Sequence, residues 1–242
     1  MKPLSEERDQ KEEWAMIEAG FNDLQRRAEF LLRLREAGFE EEALLLCCCY
    51  IEAMGNLYFQ GGGKQSNFYR ILKSFGGEEV LIYIHPKQLW IDFISDKNFR
   101  QIGKKSGVTL RKAENKLYTE EETITLVANL LNKEEMTKLK KNLWRGTLAA
   151  LAYEWFRKPA VHELGGAKSF SFEKTIFKGK PVPVLDFSLL YRGMLNILRN
   201  MREISAKTGT YFGQDFGSLL DACLAIHREW EKLGSKKGEE MS

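Results

Sequence analysis

A chain of 242 residues with 43% hydrophobic content holds enough apolar material for one sizeable core, and a single domain over 1–242 is the expected organisation. Its net charge of +3 excludes a protein that coats nucleic acid by bulk charge, so contact with a polyanion has to come from local clustering of Lys and Arg. Three of the four cysteines are adjacent, Cys47-Cys48-Cys49, and Cys223 stands alone; no disulfide framework is legible, and neighbouring side chains on a helix cannot chelate one metal.

A reducing cytoplasm is therefore the expected compartment. Met1 to Gln10 is polar, and no uninterrupted apolar run approaches the roughly 18 residues of a membrane span, so no export and no membrane contact are expected.

Trp14, Ile17, Phe21, Leu24, Ala28, Leu31 and Leu34 recur at three and four, which predicts a long amphipathic helix over 5–38 closed by Gly38. The next helix, about 40–59, is apolar nearly all round and belongs at the centre of a bundle. Gly61 to Gly63 end it. The run Gly61-Gly62-Gly63-Lys64-Gln65-Ser66 lacks the first glycine and the preceding strand of a phosphate-binding loop. A helix over 66–75, a Gly76-Gly77 break, an apolar stretch from Val80 to Ile84 and a helix opened by Pro86 follow. From Lys97 through Arg100, Lys104, Lys105, Arg111, Lys112 and Lys116 the chain is basic with few acids, the pattern of a solvated face or of a polyanion contact.

Thr119 with Glu122 and Asn132 with Glu135 have capping-box spacing and predict helices over 120–131 and 133–157. On the second, Met136, Leu139, Leu143, Gly146, Ala150, Tyr153 and Arg157 form one line at helical spacing. Trp144, Leu148, Leu151 and Trp155 form another, a face available to a second copy of the chain. Pro159 ends the helix near Arg157 and leaves His162 on a turn. Alternation from Phe170 to Leu185 around Lys178-Gly179 predicts a small hairpin, an insertion spanning 168–185. Asp186 caps a helix with Leu190, Met194, Ile197, Met201 and Ile204 inward, and a last helix over about 215–233 precedes a charged tail at 234–242.

The segment from Tyr153 to Gly166, YEWFRKPAVHELGG, sets Arg157 before His162 at the end of an apolar helix. Arginine offers a permanent charge in a planar fork suited to phosphate oxygens, and histidine exchanges protons near neutral pH. Metal-free RNA cleavage needs a base for the 2'-OH proton, an acid for the leaving 5' oxygen and a cation for the crowded anionic phosphorane. His162 suits the proton transfers and Arg157 the stabilisation. Tyr153 and Lys158 flank them as candidate substrate-binding residues.

This spacing and setting resemble the R-x(4-6)-H signature of the HEPN (higher eukaryote and prokaryote nucleotide-binding) domains. The resemblance is sharp over about Leu143 to Gly166 and looser beyond. It implies a mainly α, multi-helix bundle with a small β-hairpin insertion, acting as a metal-independent endoribonuclease that leaves 2',3'-cyclic phosphate and 5'-OH ends. One motif supplies one histidine, so the implied site forms across a homodimer. RNA is the implied substrate, with no cofactor and no metal, and an antitoxin-like protein or a defence setting the implied context.

Two positions depart from the family pattern: Lys158 stands where Asn, Asp or His is common, and Leu164 where a tyrosine is common. They keep open a non-catalytic RNA- or nucleotide-binding or protein-interaction module in which the Arg-His pair is structural. His227, on the edge of an apolar stripe, reads as a core residue, and His85 before Pro86 as a helix entry.

Overall fold

The computed structural model describes residues 4–113, 116–154, 174–183 and 186–214. Over them the chain is mainly helical with one small antiparallel sheet, as the sequence predicts. In order come α1 (Leu4–Glu36), α2 (Glu40–Tyr58), α3 (Lys64–Phe75), α4 (Glu79–Ile82), α5 (Pro86–Ser95), α6 (Arg100–Lys112), α7 (Glu120–Val127) and α8 (Lys133–Lys140). A 3-10 turn (Leu143–Gly146), α9 (Leu148–Ala152), β1 (Lys174–Phe177), β2 (Lys180–Pro183) and α10 (Phe187–Thr208) follow. The expected helix at 215–233 and the tail at 234–242 lie outside the described residues. No helix among the described residues is long and apolar enough to cross a membrane.

The chain divides into two compact units, one formed by 1–26 with 198–242, the other by 27–197. In the first, Ile17 and Phe21 of α1 and Met201 of α10 are buried. Phe21 stacks on Phe212 at 5.3 Å and meets the edge of Tyr211 at 5.2 Å. Gly20 permits this approach, since a Cβ there would stand 3.1 Å from the Tyr211 ring. The Arg202 guanidinium reaches Glu18 and Asn22 across the same pair of helices.

In the larger unit α2 is the axis: Ala43, Leu44, Cys47, Cys48, Ile51 and Met54 are all buried, which is why its sequence is apolar nearly all round. Gly55 lets α3 cross it at backbone distance, because a Cβ there would lie 2.7 Å from the Asn67 carbonyl oxygen. A second apolar cluster joins α5 to α8 through Ile84, Leu89, Phe93, Phe99, Ile102, Leu110, Val127, Leu139 and Leu143.

Local chemistry sets the helix ends. Gly38 takes φ +93° just past α1. Thr119 and Asn132 accept from the backbone N–H of Glu122 (3.1 Å) and Glu135 (2.9 Å), and both glutamates return the bond, so both capping boxes form. Asp186 Oδ1 accepts from the Ser188 N–H at 2.7 Å and opens α10. In the hairpin Phe177 pairs with Lys180, and Lys178 and Gly179 both have positive φ (49° and 76°), the I' type of two-residue turn.

Two expectations need correction. The helix predicted over 133–157 is not continuous: α8 stops at Lys140, and the chain passes through the 3-10 turn before α9 starts. The cause is tertiary. The Gly146 carbonyl accepts from the His85 N–H at 2.8 Å and the Leu148 N–H donates to the Tyr83 carbonyl at 3.3 Å, so this backbone pairs with the Tyr83–His85 segment and cannot close a helical ladder. Thr147, extended at ψ 154°, caps α9 by accepting from the Ala150 N–H at 3.2 Å. The single inward line through Met136 to Arg157 loses its basis. The apolar face reserved for a second copy changes too, because Leu148 and Leu151 are buried within the chain and Trp144 stacks on Tyr69. The helix predicted to 131 also stops sooner, at Val127, where the Leu130 N–H turns back to the Val127 carbonyl at 3.0 Å.

Candidate functional site

Helix α5 begins with His85 as its N-cap and Pro86 at the first helical position, where a fixed φ and a missing N–H carry no cost. Its Leu89 and Phe93 enter the core, and a polar row of Gln88, Asp92 and Asp96 turns toward the 3-10 turn and the end of α9. Such a row against an apolar cluster calls for a specific partner. Arg145 supplies it. Its Nε stands 2.7 Å from Asp92 Oδ2, and Nη2 donates to Asp92 Oδ1 at 3.2 Å and to Asp96 Oδ2 at 3.0 Å. The guanidinium also lies over the Phe99 ring at 4.6 Å, and both apolar packing and charge fix its plane.

Arg145 pulls both carboxyls down, yet they end on opposite sides of the ordinary carboxyl range. Burial pushes the Asp92 carboxyl above its ordinary range, and the charges of Asp96 and Glu154 push the same way, against the pull of Arg145. The Asn98 backbone N–H, joined by Arg145, holds Asp96 below that range from a far more hydrated position. One guanidinium thus pairs with two carboxylates, Asp92 and Asp96, while the charge of Glu154 is felt at Asp92. Of the two, Asp92 is the more readily protonated. Gln88 Oε1 is buried beside it and has no hydrogen-bond partner among the described residues.

Glu154 is also where description of this stretch stops, three residues before Arg157. Arg157, Lys158 and His162 lie outside the described residues. Tyr153 is described: it is buried, with its ring 5.5 Å from Phe68, and it occupies a π-type turn with Glu154, a departure from α geometry frequent beside functional positions. His85 is a helix entry, as its place before Pro86 predicts. Among the described residues no group of three or more His, Cys, Asp or Glu side chains converges closely enough to hold a metal ion.

Sequence reasoning passed over Asp92 and Arg145. A signal was present in PKQLWIDFIS, where Gln88 and Asp92 recur at helical spacing within an otherwise apolar helix, but the partner 53 positions away had no local mark. Comparison with protein-family models, with curated proteins and with solved structures finds no match to this chain, so the functional argument rests on its residues.

Proposed function

We propose that the chain is a HEPN-type, metal-independent endoribonuclease whose Arg157 and His162 pair with those of a second copy to cleave RNA. The observation that carries the reading is the spacing of Arg157 and His162, with Pro159 between them, at the end of an apolar stretch of sequence. In this scheme His162 removes the 2'-OH proton while the partner copy's equivalent group protonates the departing 5' oxygen. Arg157 stabilises the phosphorane, and the products are a 2',3'-cyclic phosphate and a 5'-OH. Lys158 adds a cation for the backbone phosphate.

A second reading is favoured by one specific observation. Lys158 and Leu164 stand where the family pattern commonly has Asn, Asp or His and a tyrosine. On that reading the Arg-His pair is structural and the chain is a non-catalytic RNA-binding or protein-interaction module.

The test is cleavage of a labelled mixed-sequence RNA in EDTA by wild type, His162→Ala and Arg157→Ala, with end-group analysis of the products and a solution mass for each protein. Cyclic-phosphate ends from wild type alone, with all three proteins folded and dimeric, support the nuclease. A wild type that is inactive across conditions, together with an Arg157→Ala protein that loses stability, supports the module.

A further inference from the structure

We infer that α6 and α8 together form a surface that binds the phosphate backbone of a nucleic acid. Residues 97–112 and 133–141 carry ten Lys or Arg against two acids, Glu134 and Glu135. This face therefore holds more positive charge than the +3 of the entire chain, and the remainder is net acidic.

Packing decides which way the charges point. Gly103, Ser106 and Gly107 are buried against α5: a Cβ on Gly103 would lie 3.0 Å from the Ile94 nitrogen, and one on Gly107 2.8 Å from Trp90 Nε1. With the glycine side pressed to a neighbouring backbone, helical periodicity turns Arg100, Lys104, Lys105, Arg111 and Lys112 to solvent along a helix about 20 Å long. α8 lies beside it, tied by Lys105 to Glu135 at 2.6 Å and by Lys138 Nζ donating to the Asn98 carbonyl at 2.6 Å. On its outer side Lys133, Lys138 and Lys141, with Glu134 and Thr137, line an open groove of about 500 Å³.

Much of this charge is held in place without being neutralised. Arg100 and Arg111 donate to the backbone carbonyls of Ile94 and Gly107, and Arg111 also lies over the Trp90 ring at 4.9 Å. Cations fixed by neutral partners lose little freedom when a phosphate arrives.

The same features select the partner. Lysine is depleted at the dry centre of protein interfaces, which are built around aromatic and apolar anchors, and an interfacial membrane helix needs an apolar side to insert. Val108 is the one large exposed apolar residue on α6. A linear array of hydrated cations matches a polyanion bound through counterion release. The inference stands on this arrangement and takes from the nuclease reading only the choice of RNA as the polyanion.

The test uses the full-length chain as His162→Ala, so that the probe survives, and measures fluorescence anisotropy of a labelled oligouridine over roughly 50 to 200 mM salt. Affinity is expected to fall linearly on a log-log plot. Adding Lys104→Gln, Lys112→Gln and Lys141→Gln is expected to flatten the slope by about 2 and to weaken binding about tenfold or more. A control with equal charge loss elsewhere, Lys64→Gln, Lys87→Gln and Lys207→Gln, is expected to leave both unchanged. Equal losses in the two triple variants, salt-independent binding, no binding, or capture by phosphatidylserine vesicles in place of RNA each overturn the inference. RNA binding lost in the α6/α8 triple variant, with a wild type that never cleaves, upholds this surface and removes the nuclease reading. Cleavage that ignores the triple change does the reverse.

Discussion

Arg145→Met is the most direct probe of the cluster on α5 and the 3-10 turn, because it keeps the aliphatic length over Phe99 and removes the charge. Truncating one partner of a buried ion pair costs about 3–5 kcal/mol. Arg145 and Asp92 keep 19% and 32% side-chain exposure, which lowers the expected loss at pH 7 to about 2–3 kcal/mol. The pH dependence carries the sharper signature. Burial already holds the Asp92 carboxyl above its ordinary value, and Arg145 is the force pulling it down, so the variant raises it further. A carboxyl with a folded pKa above its unfolded one stabilises fully below the unfolded value and loses that contribution as pH rises through the folded one. Asp96, held low partly by Arg145, stabilises the wild type above its unfolded pKa and loses that as pH falls through its folded value. Both terms bring variant and wild type together at low pH and separate them between about pH 4 and 7. Urea unfolding at several pH values reads this. A deficit below about 0.5 kcal/mol, or one that does not change with pH, would refute the account.

Three further outcomes are expected. Thr147→Ala removes the buried cap of α9 and should cost about 1–2 kcal/mol in urea unfolding, while Thr147→Ser, which keeps the acceptor, should recover most of it. Gly103→Ala sets a methyl 3.0 Å from the Ile94 backbone nitrogen, and the melting temperature should fall as for an overpacked site of about 1–3 kcal/mol; a neutral result would mean that α5 and α6 can separate freely. Lys178→Asn suits the positive φ of the hairpin turn better than lysine, and should raise the midpoint of urea unfolding because the ion pair to Glu79 that it gives up is solvent-exposed; a lowered midpoint would assign that pair real weight.

The parts legible from sequence were those set by local chemistry. The periodicity of α1, the apolar girth of α2, Pro86 at the start of α5, the capping boxes at Thr119 and Asn132, and the Lys178-Gly179 turn each act within a few residues of where they are read. The break between α8 and α9 was not legible, since helical spacing runs unbroken from Met136 to Tyr153. What interrupts it is pairing with Tyr83 and His85, some 60 residues earlier in the chain. The same holds for Arg145 and for the joining of α6 to α8: each half was visible as a polar or basic residue, but the pairing was not. The motif residues Arg157 and His162 remain a matter of spacing and chemistry.

The Cys47 thiol lies wholly inside, its sulfur 3.9 Å from that of Met194 on α10, and burial followed by the neighbouring thiols pushes its pKa well up. The thiolate is the species that attacks an alkylating reagent, so the native form is inert and modification has to wait for α10 to lift from α2. The chain thus carries a natural clock for that opening: the rate at which Cys47 takes up a maleimide, set against the half-exposed Cys49, measures how often these two helices part.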